Sequence, residues 1–260
     1  MPDITYTLMD PSGNRTILVE TPVPEDLQPK AAAKLMALEP TAEQTGFLSF
    51  RRKSDIALRM AGGEFCGNAT MSAAVYHAIH QDPQETEVLV EVSGAPHPLC
   101  VSLKRENKEV WQGTVEMPLP DSIAMTDLPG GYHLPVVQFE GIAHVILEDE
   151  TTIPQAQKLA ERWCSALRQD AIGLLYFSRK ESALKPLVCV PGANTLCWEN
   201  ACGSGTAAVG AYLCHTEQRD VSLSLRQPGG ILTIQACTHG SLRLSGTVKC
   251  VHQRTVTVSL

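Results

Sequence analysis

The sequence has no run of 18 apolar residues, no Cys-x-x-Cys pair, no G-x-x-x-x-G-K loop and no excess of basic charge. Each absence removes a class of function. Without a long apolar run no membrane-spanning helix is expected. Without closely spaced cysteines, neither a structural metal site nor a dithiol redox centre is expected. Without the glycine-lysine loop there is no P-loop cradle for phosphates. The one dinucleotide-like stretch, Gly203 to Ala208 in the looser G-x-G-x-x-A form, has no βαβ pattern around it. The net charge of -7 argues against nucleic acid or an anionic membrane surface as the main partner and favours a small molecule. The first residues, Met1, Pro2 and Asp3, open neither a basic region nor an apolar signal segment, so reduced thiols in the cytoplasm are expected.

What remains is a 260-residue chain, 43% hydrophobic and 19% charged, which suits a soluble globular protein of one large domain or two small ones. Cysteine is the odd count, with nine: Cys66, Cys100, Cys164, Cys189, Cys197, Cys202, Cys214, Cys237 and Cys250. Seven of them, Cys197 included, read as small buried apolar residues. Cys66 and Cys202 differ, because each opens a stretch rich in glycine, threonine and alanine: Cys66-Gly67-Asn68-Ala69-Thr70 and Cys202-Gly203-Ser204-Gly205-Thr206.

These stretches belong to a repeat. Cys66 and Cys202 are 136 residues apart, and so are Tyr76 and Tyr212. Upstream, Gly46-Phe47-Leu48-Ser49-Phe50 matches Gly173-Leu174-Leu175-Tyr176-Phe177, each preceded by a helical stretch, at about 25–38 and 154–169. In the second, Pro154 suits a first helical position and Leu159, Trp163 and Leu167 recur at i, i+4, i+8. Downstream, Val92-Ser93-Gly94-Ala95-Pro96 and Arg226-Gln227-Pro228-Gly229-Gly230 both read as turns after a strand. The boundary is expected near Met117–Pro135, where prolines and glycines cluster, which gives lobes of 1–120 and 121–260 with terminal strands free to cross between them.

Most of the rest alternates with period two, as half-buried antiparallel strands do: Ile4-Tyr6-Leu8, Ile17-Val19, Val88-Val90-Val92, Val137-Phe139, Val145-Leu147, Leu223-Leu225, Leu232-Ile234, Leu242-Leu244 and Val256-Val258-Leu260. Asp10-Pro11-Ser12-Gly13-Asn14 is a hairpin turn. The helix after Cys66 presents one apolar face through Met71, Ala74, Val75, Ala78 and Ile79, and the helix after Cys202 is apolar all round. The expected fold class is α/β of the α+β type, with two pseudo-symmetric lobes, each a central helix wrapped by mostly antiparallel strands.

A helix N-terminus offers unpaired N–H groups and roughly half a unit of positive charge. A thiol there is expected to have a lowered pKa, and the same N–H groups bind a carboxylate. Two such helices aimed into one cleft would set two sulfurs on opposite faces of a stereocentre, the arrangement a two-base racemisation needs.

Gly63-Glu64-Phe65-Cys66-Gly67-Asn68-Ala69-Thr70 and Asn200-Ala201-Cys202-Gly203-Ser204-Gly205-Thr206 resemble the paired Cys-Gly motifs of the diaminopimelate epimerase-like, cofactor-independent amino-acid racemases. The shared stretches also include Pro11-Ser12-Gly13-Asn14, Trp198-Glu199-Asn200 and Gln227-Pro228-Gly229-Gly230, and they extend to the histidine racemases of staphylopine-type metallophore pathways. The resemblance implies two lobes closing over the substrate, with no pyridoxal phosphate and no metal. It makes Cys66 and Cys202 the acid/base pair, Asn14 and Asn68 contacts to the α-amino and carboxylate groups, and Gly203, Ser204, Gly205 and Thr206 the carboxylate cradle beside Gly67. It places His144 in support, while Gln44, Glu199 and Glu64 are candidates to hold the substrate, and Trp198 is a side-chain wall or core. The chain reads Ile142-Ala143-His144 where diaminopimelate epimerases carry Asn-Pro-His, and it has no Glu-Arg pair between Pro191 and Asn200. A second zwitterion would therefore lie against apolar groups at a cost on the order of several kcal/mol, which disfavours diaminopimelate.

The expected function is histidine racemisation for an opine-type metallophore, with an amino acid as the small-molecule partner and a homodimer as a possible assembly. An epimerase for diaminopimelate or another amino acid, and a non-catalytic carboxylate-binding protein, are the alternatives. A substrate panel separates the first, and binding without α-proton exchange the second.

Overall fold

The computed structural model describes residues 3–49, 54–79, 81–149, 155–193 and 195–260. It divides into two compact units, one made of the residues up to Glu116 together with Ser245–Leu260 and the other of Met117–Leu244. The expected lobes are 1–120 and 121–260 with terminal strands free to cross between them, and the units differ from those bounds in two stretches. Residues 117–120 group with the second unit and 245–260 with the first. The expected boundary stretch is mostly structured, since Pro129-Gly130-Gly131 is the turn of a hairpin inside the second unit.

The first unit runs β1 (Asp3–Pro11), β2 (Thr16–Val19), a 3-10 turn (Glu25–Leu27) continuing into α1 (Gln28–Leu38), β3 (Gln44–Ser49), β4 (Ile56–Met60), α2 (Gly67–Ile79), β5 (Glu85–Val92), β6 (Leu99–Arg105) and β7 (Val110–Glu116). The second runs β8 (Ser122–Leu128), β9 (Tyr132–Phe139), β10 (Ile142–Glu148), α3 (Ala156–Leu167), β11 (Ala171–Ser178), β12 (Ala183–Val190), a 3-10 turn (Pro191–Ala193), β13 (Thr195–Trp198), α4 (Gly203–Glu217), β14 (Val221–Gln227) and β15 (Gly230–Cys237). The last strand, β16 (Ser241–Thr257), gives its first four residues to the second unit and the rest to the first. Pro154, expected at the start of the second outer helix, lies outside the described residues, as do Phe50 and the basic residues after it.

The strand pairings show the repeat. In the first unit β1/β2 is antiparallel, β2/β3 parallel, β3/β4 antiparallel, β4/β5 parallel and β5/β6 antiparallel. In the second, β9/β10, β10/β11, β11/β12, β12/β14 and β14/β15 run through the same alternation. The pairings are mostly antiparallel, as expected, with the parallel pairs β2/β3, β4/β5, β10/β11 and β12/β14 among them. Parallel neighbours need a crossover, and α1, α2, α3 and α4 each lie in one. In the first unit β16 pairs back onto β1, so the strands close around α2, which packs on β1, β4, β5, β6 and β7.

The outer helices α1 and α3 each bury one face of the strands beside them. On β1 and β2, Ile4, Tyr6, Leu8, Ile17 and Val19 pack against Ala31, Ala32 and Leu35 of α1, and all four β2 residues are buried. On β10 and β11, Val145, Leu147, Ile172 and Leu174 pack against Ala160, Trp163 and Cys164 of α3. The Trp163 indole N–H donates to the Pro129 carbonyl at 2.9 Å, which ties α3 to the β8–β9 turn. α2 is buried on all sides from Gly67 to Val75 and not along one face, because it lies inside the strands. Burying Met71 or Val75 there stabilises by about 1.5–3 kcal/mol each.

The repeat extends to side chains. Tyr76 on α2 bonds to Glu20 after β2, and Tyr212 on α4 bonds to Glu148 at the end of β10. Gly46 and Gly173 occupy equivalent places on β3 and β11, opposite Leu18 and His144. The remaining cysteines depart from expectation. Cys164, Cys189 and Cys214 are buried, but Cys100, Cys197 and Cys250 are exposed and Cys237 is half-buried.

The C-terminal strand returns to the first unit after a long excursion, and closing so long a loop costs entropy. A buried carboxylate helps to hold it. Glu39 caps the end of α1, and its Oε1 accepts from Tyr6 Oη at 2.7 Å and Arg254 Nη1 at 3.1 Å, with His252 Nε2 at 2.9 Å. Burial alone would raise the Glu39 pKa, but the bonds to Tyr6 and His252 and the charges of His252 and Arg254 outweigh it and hold it below the ordinary value. A depressed carboxylate stabilises the fold above its unfolded pKa and loses that contribution as pH falls through the folded one. Glu39→Ala is expected to cost roughly 3 kcal/mol at neutral pH, and the gap from the native chain should narrow toward about pH 3. Urea unfolding at both pH values checks this, and an undiminished gap in acid would count against it.

Candidate active site

Cys66 stands directly before α2, and its sulfur accepts the Ala69 N–H at 3.4 Å. A sulfur therefore does the work of the oxygen that usually caps a helix start. The Cys66 carbonyl accepts from Thr70 N at 2.9 Å and Thr70 Oγ1 at 2.7 Å. On its other side the thiol donates to Gln44 Oε1 at 3.2 Å. Gln44 opens β3, and the parallel register sets it beside Thr16. Its amide nitrogen donates to Asn14 Oδ1 at 2.6 Å and Thr16 Oγ1 at 2.8 Å, while Asn14 Nδ2 donates to Glu43 Oε2 at 2.7 Å. Both amides are thereby oriented, and the oxygen of Gln44 must face the sulfur. Asn68 is buried in the first turn of α2, next to Gly67.

The second unit repeats this start. Cys202 is the N-cap of α4 in an extended conformation, and its sulfur accepts the Gly205 N–H at 3.4 Å with Ser204 Oγ at 3.6 Å. Its carbonyl accepts from Thr206 N at 3.0 Å and Thr206 Oγ1 at 2.6 Å. Gly203 follows Cys202 and is buried. A Cβ at Gly205 would stand 2.8 Å from Leu175 Cδ2 and 3.2 Å from the Cys202 sulfur, so any side chain there would push Leu175 and the sulfur out of place. Gln227, the last residue of β14, spans the helix start: its Oε1 accepts Cys202 N at 2.8 Å and its Nε2 donates to Thr206 Oγ1 at 2.7 Å.

The electrostatics correct one expectation. The Cys202 thiol is not acidified. Burial pushes its pKa well up, the charge of Glu199 and a hydrogen bond to it push the same way, and the bonds from Ser204 and Gly205 oppose them only in part. The partial charge of a helix end loses to full desolvation next to a carboxylate.

The other candidates are spread more widely. Glu64 is exposed, and its backbone carbonyl accepts from Ser93 Oγ at 2.9 Å. His144 is fully buried on β10, its ring edge-on to Phe139, and a Cβ at Gly173 would collide with it. Neither ring nitrogen has a hydrogen-bond partner among the described residues, and burial pushes its pKa down to about 3. Trp198 is 45% exposed, so it is not core; Lys185 Nζ lies 4.7 Å from its ring centroid and Tyr176 packs beside it. Cys197, expected to be a packing residue, is exposed because β13 is a four-residue strand that, among the described residues, pairs with β12 alone. Reading the sequence singled out neither Thr16 nor Glu43, and left Gln227 without a role. The repeat held a signal for Gln227, since it aligns with Ser93, whose Oγ accepts Met60 N at 2.9 Å just before the Cys66 stretch.

The chain is similar to known proteins over nearly all of its length. Residues 3–256 match the family model described as the histidine racemase CntK N-terminal domain. A histidine racemase of Staphylococcus aureus is 28% identical over 246 residues, covering 89% of this chain and 88% of its own. Among solved structures, a PhzF-family phenazine biosynthesis protein of Bacillus anthracis superposes with a TM-score of 0.73 at 16% identity, over 99% of this chain and 100% of its own. A hydroxyproline epimerase of Agrobacterium vitis, solved with trans-4-hydroxy-L-proline, gives 0.65 at 12% identity, over 98% of this chain and 92% of its own. The fold is thus the one expected.

Glu199→Gln removes the charge that opposes ionisation of Cys202, so it should move the alkylation of Cys202 to lower pH. Iodoacetamide labelling across a pH series, read at the Cys202 peptide by mass spectrometry, measures this, and an unmoved or upward midpoint would contradict the assignment.

Proposed function

The chain belongs to the histidine racemase CntK N-terminal domain family and is an isomerase of the racemase/epimerase class, and on that premise we propose that it interconverts L- and D-histidine with no cofactor, using Cys66 and Cys202 as opposed acid and base. The observation that carries the reading is the duplicated helix start, in which each cysteine sulfur accepts an N–H from the first turn of its own unit's central helix. Two identical acid/base groups suit a reaction that runs both ways.

In this reading the N–H groups and small residues at Gly67-Asn68 and at Gly203-Ser204-Gly205-Thr206 are the groups suited to bind a substrate carboxylate and to stabilise the charge that builds up as the α-proton leaves. Asn14 and Asn68 hold the polar groups at the α-carbon. One sulfur takes the proton from one face while the other thiol delivers a proton to the opposite face. The two sides are unequal. Glu199 is a carboxylate that can accept the Cys202 proton, whereas Gln44 orients the Cys66 thiol without being able to take its proton. D-histidine for an opine-type metallophore, made in the cytoplasm where thiols stay reduced, is the use this reading supports. No helix among the described residues is long and apolar enough to cross a membrane.

In deuterium oxide, L-histidine is expected to gain deuterium at the α-carbon without any added cofactor. Cys66→Ser and Cys202→Ser should each lower that exchange by at least roughly a thousandfold, since a serine alcohol is too weak an acid to serve as the base. NMR of the α-proton, with a panel of other amino acids alongside, measures both. Exchange confined to another amino acid would replace histidine as substrate, and histidine binding with no exchange would favour a carboxylate-binding protein.

A further inference from the structure

The second unit carries another cluster of ligand-type side chains, remote in the sequence from Cys66 and at the far end of α4 from Cys202. Asp220 directly precedes β14, Cys237 is the last residue of β15, and His239 lies in the turn to β16. One donor atom from each lies within 4.8 Å of the other two. Backbone register brings them together. Val221 pairs with Ala236, so the next residues outward, Asp220 and Cys237, stand across from one another at the end of the ladder. The chain then turns tightly, with Gly240 N donating to the Cys237 carbonyl at 3.0 Å and Gly240 at φ +87, which returns His239 toward Cys237.

The carboxylate is oriented as a metal-ligating carboxylate usually is. Thr238 donates from its backbone N at 2.8 Å and its Oγ1 at 2.9 Å to the same Asp220 oxygen, Oδ1. That leaves Oδ2 for a ligand and holds the group toward the turn, the service that hydrogen bonds behind a metal ligand provide.

We propose that Asp220, Cys237 and His239 form a surface site for a divalent transition cation of the zinc class. A sulfur, an imidazole nitrogen and a carboxylate oxygen are the donor set zinc takes, with water as the fourth ligand. Calcium and magnesium take oxygen sets instead. Tetrahedral bonds of the usual zinc lengths place donor atoms about 3.4–3.6 Å apart, so modest rotation of the exposed His239 side chain closes the set. The thiolate and carboxylate together balance the charge of the cation. Cys214, buried on the last turns of α4, lies close enough for its thiol to feel the charges of Asp220 and Cys237. Cys202 and Cys214 are twelve residues apart on one helix, roughly 18 Å at the α-helical rise, so the metal site stands clear of the proposed chemistry.

Titration of the reduced full chain with cobalt(II) tests this, because a thiolate ligand gives a near-ultraviolet charge-transfer band. One band is expected, saturating at one cobalt per chain for this site and displaced by zinc. Cys237→Ser should abolish it, and His239→Ala, a change at an exposed turn, should weaken cobalt binding by at least roughly tenfold. The double variant Cys66→Ser/Cys202→Ser should keep the band, and metal-free Cys237→Ser should keep the native rate of α-proton exchange. A native chain without the band, a band that survives Cys237→Ser, or a band lost from the double variant would overturn the proposal. The readout is spectral, so it stands or falls independently of the racemase reading.

Discussion

A helix that begins inside its own sheet must satisfy its first N–H groups without water, and both units are built around that constraint. α2 and α4 are buried nearly all round. Unpaired donors there would each cost about 1–3 kcal/mol. Each start is closed by the same means, a cysteine sulfur accepting the N–H three residues on and a threonine hydroxyl returning to the cysteine carbonyl. Gly205 follows from this, since a side chain there would displace Leu175 and the Cys202 sulfur. The packing that makes the helix ends hard to satisfy also makes them suited to a carboxylate, because dry N–H groups bind an anion strongly.

The same burial makes the two thiols unequal. Cys202 is 4% exposed, and Glu199 adds a negative charge beside it, so its proton is held tightly. Cys66 is half-buried and faces an amide whose orientation is passed along from Glu43 through Asn14. A symmetric pair of motifs therefore supports an asymmetric pair of acids. In the proposed two-base reaction each group is the base in one direction and the acid in the other, so the two need not be alike.

Much of this organisation was legible in the chain. The repeat was visible in the Cys-Gly stretches, in Tyr76 and Tyr212 and in the Gly-Phe and Gly-Leu strands, because the same local problem is solved twice with the same residues. The hairpin turn at Ser12-Gly13 was visible because its backbone demands it, both residues having positive φ. Strands β4, β6, β7, β8, β12 and β13 were not read. In β4 and β12 both faces are covered, so no alternation is left to see, as the burial of Ile56, Ala57 and Leu58 in succession shows. The parallel pairings were hidden for a related reason, since periodicity within a strand does not say which way its neighbour runs. The exposed cysteines were misjudged because composition assigns a residue type its average environment, while Cys197 lies on a short edge strand.

By itself the sequence determined the two-fold internal repeat, the helix starts at Cys66 and Cys202 and the kinship of the chain, since each rests on residues close together in the chain. Tertiary structure alone decided three things. It set Gln44 against Cys66, 22 residues apart, a separation that no local pattern measures. It reversed the expected acidity of Cys202, because desolvation depends on what surrounds a group and not on its neighbours in sequence. It also gathered Asp220, Cys237 and His239 at one end of a hairpin, where ladder register replaces the short spacing by which metal ligands are usually found.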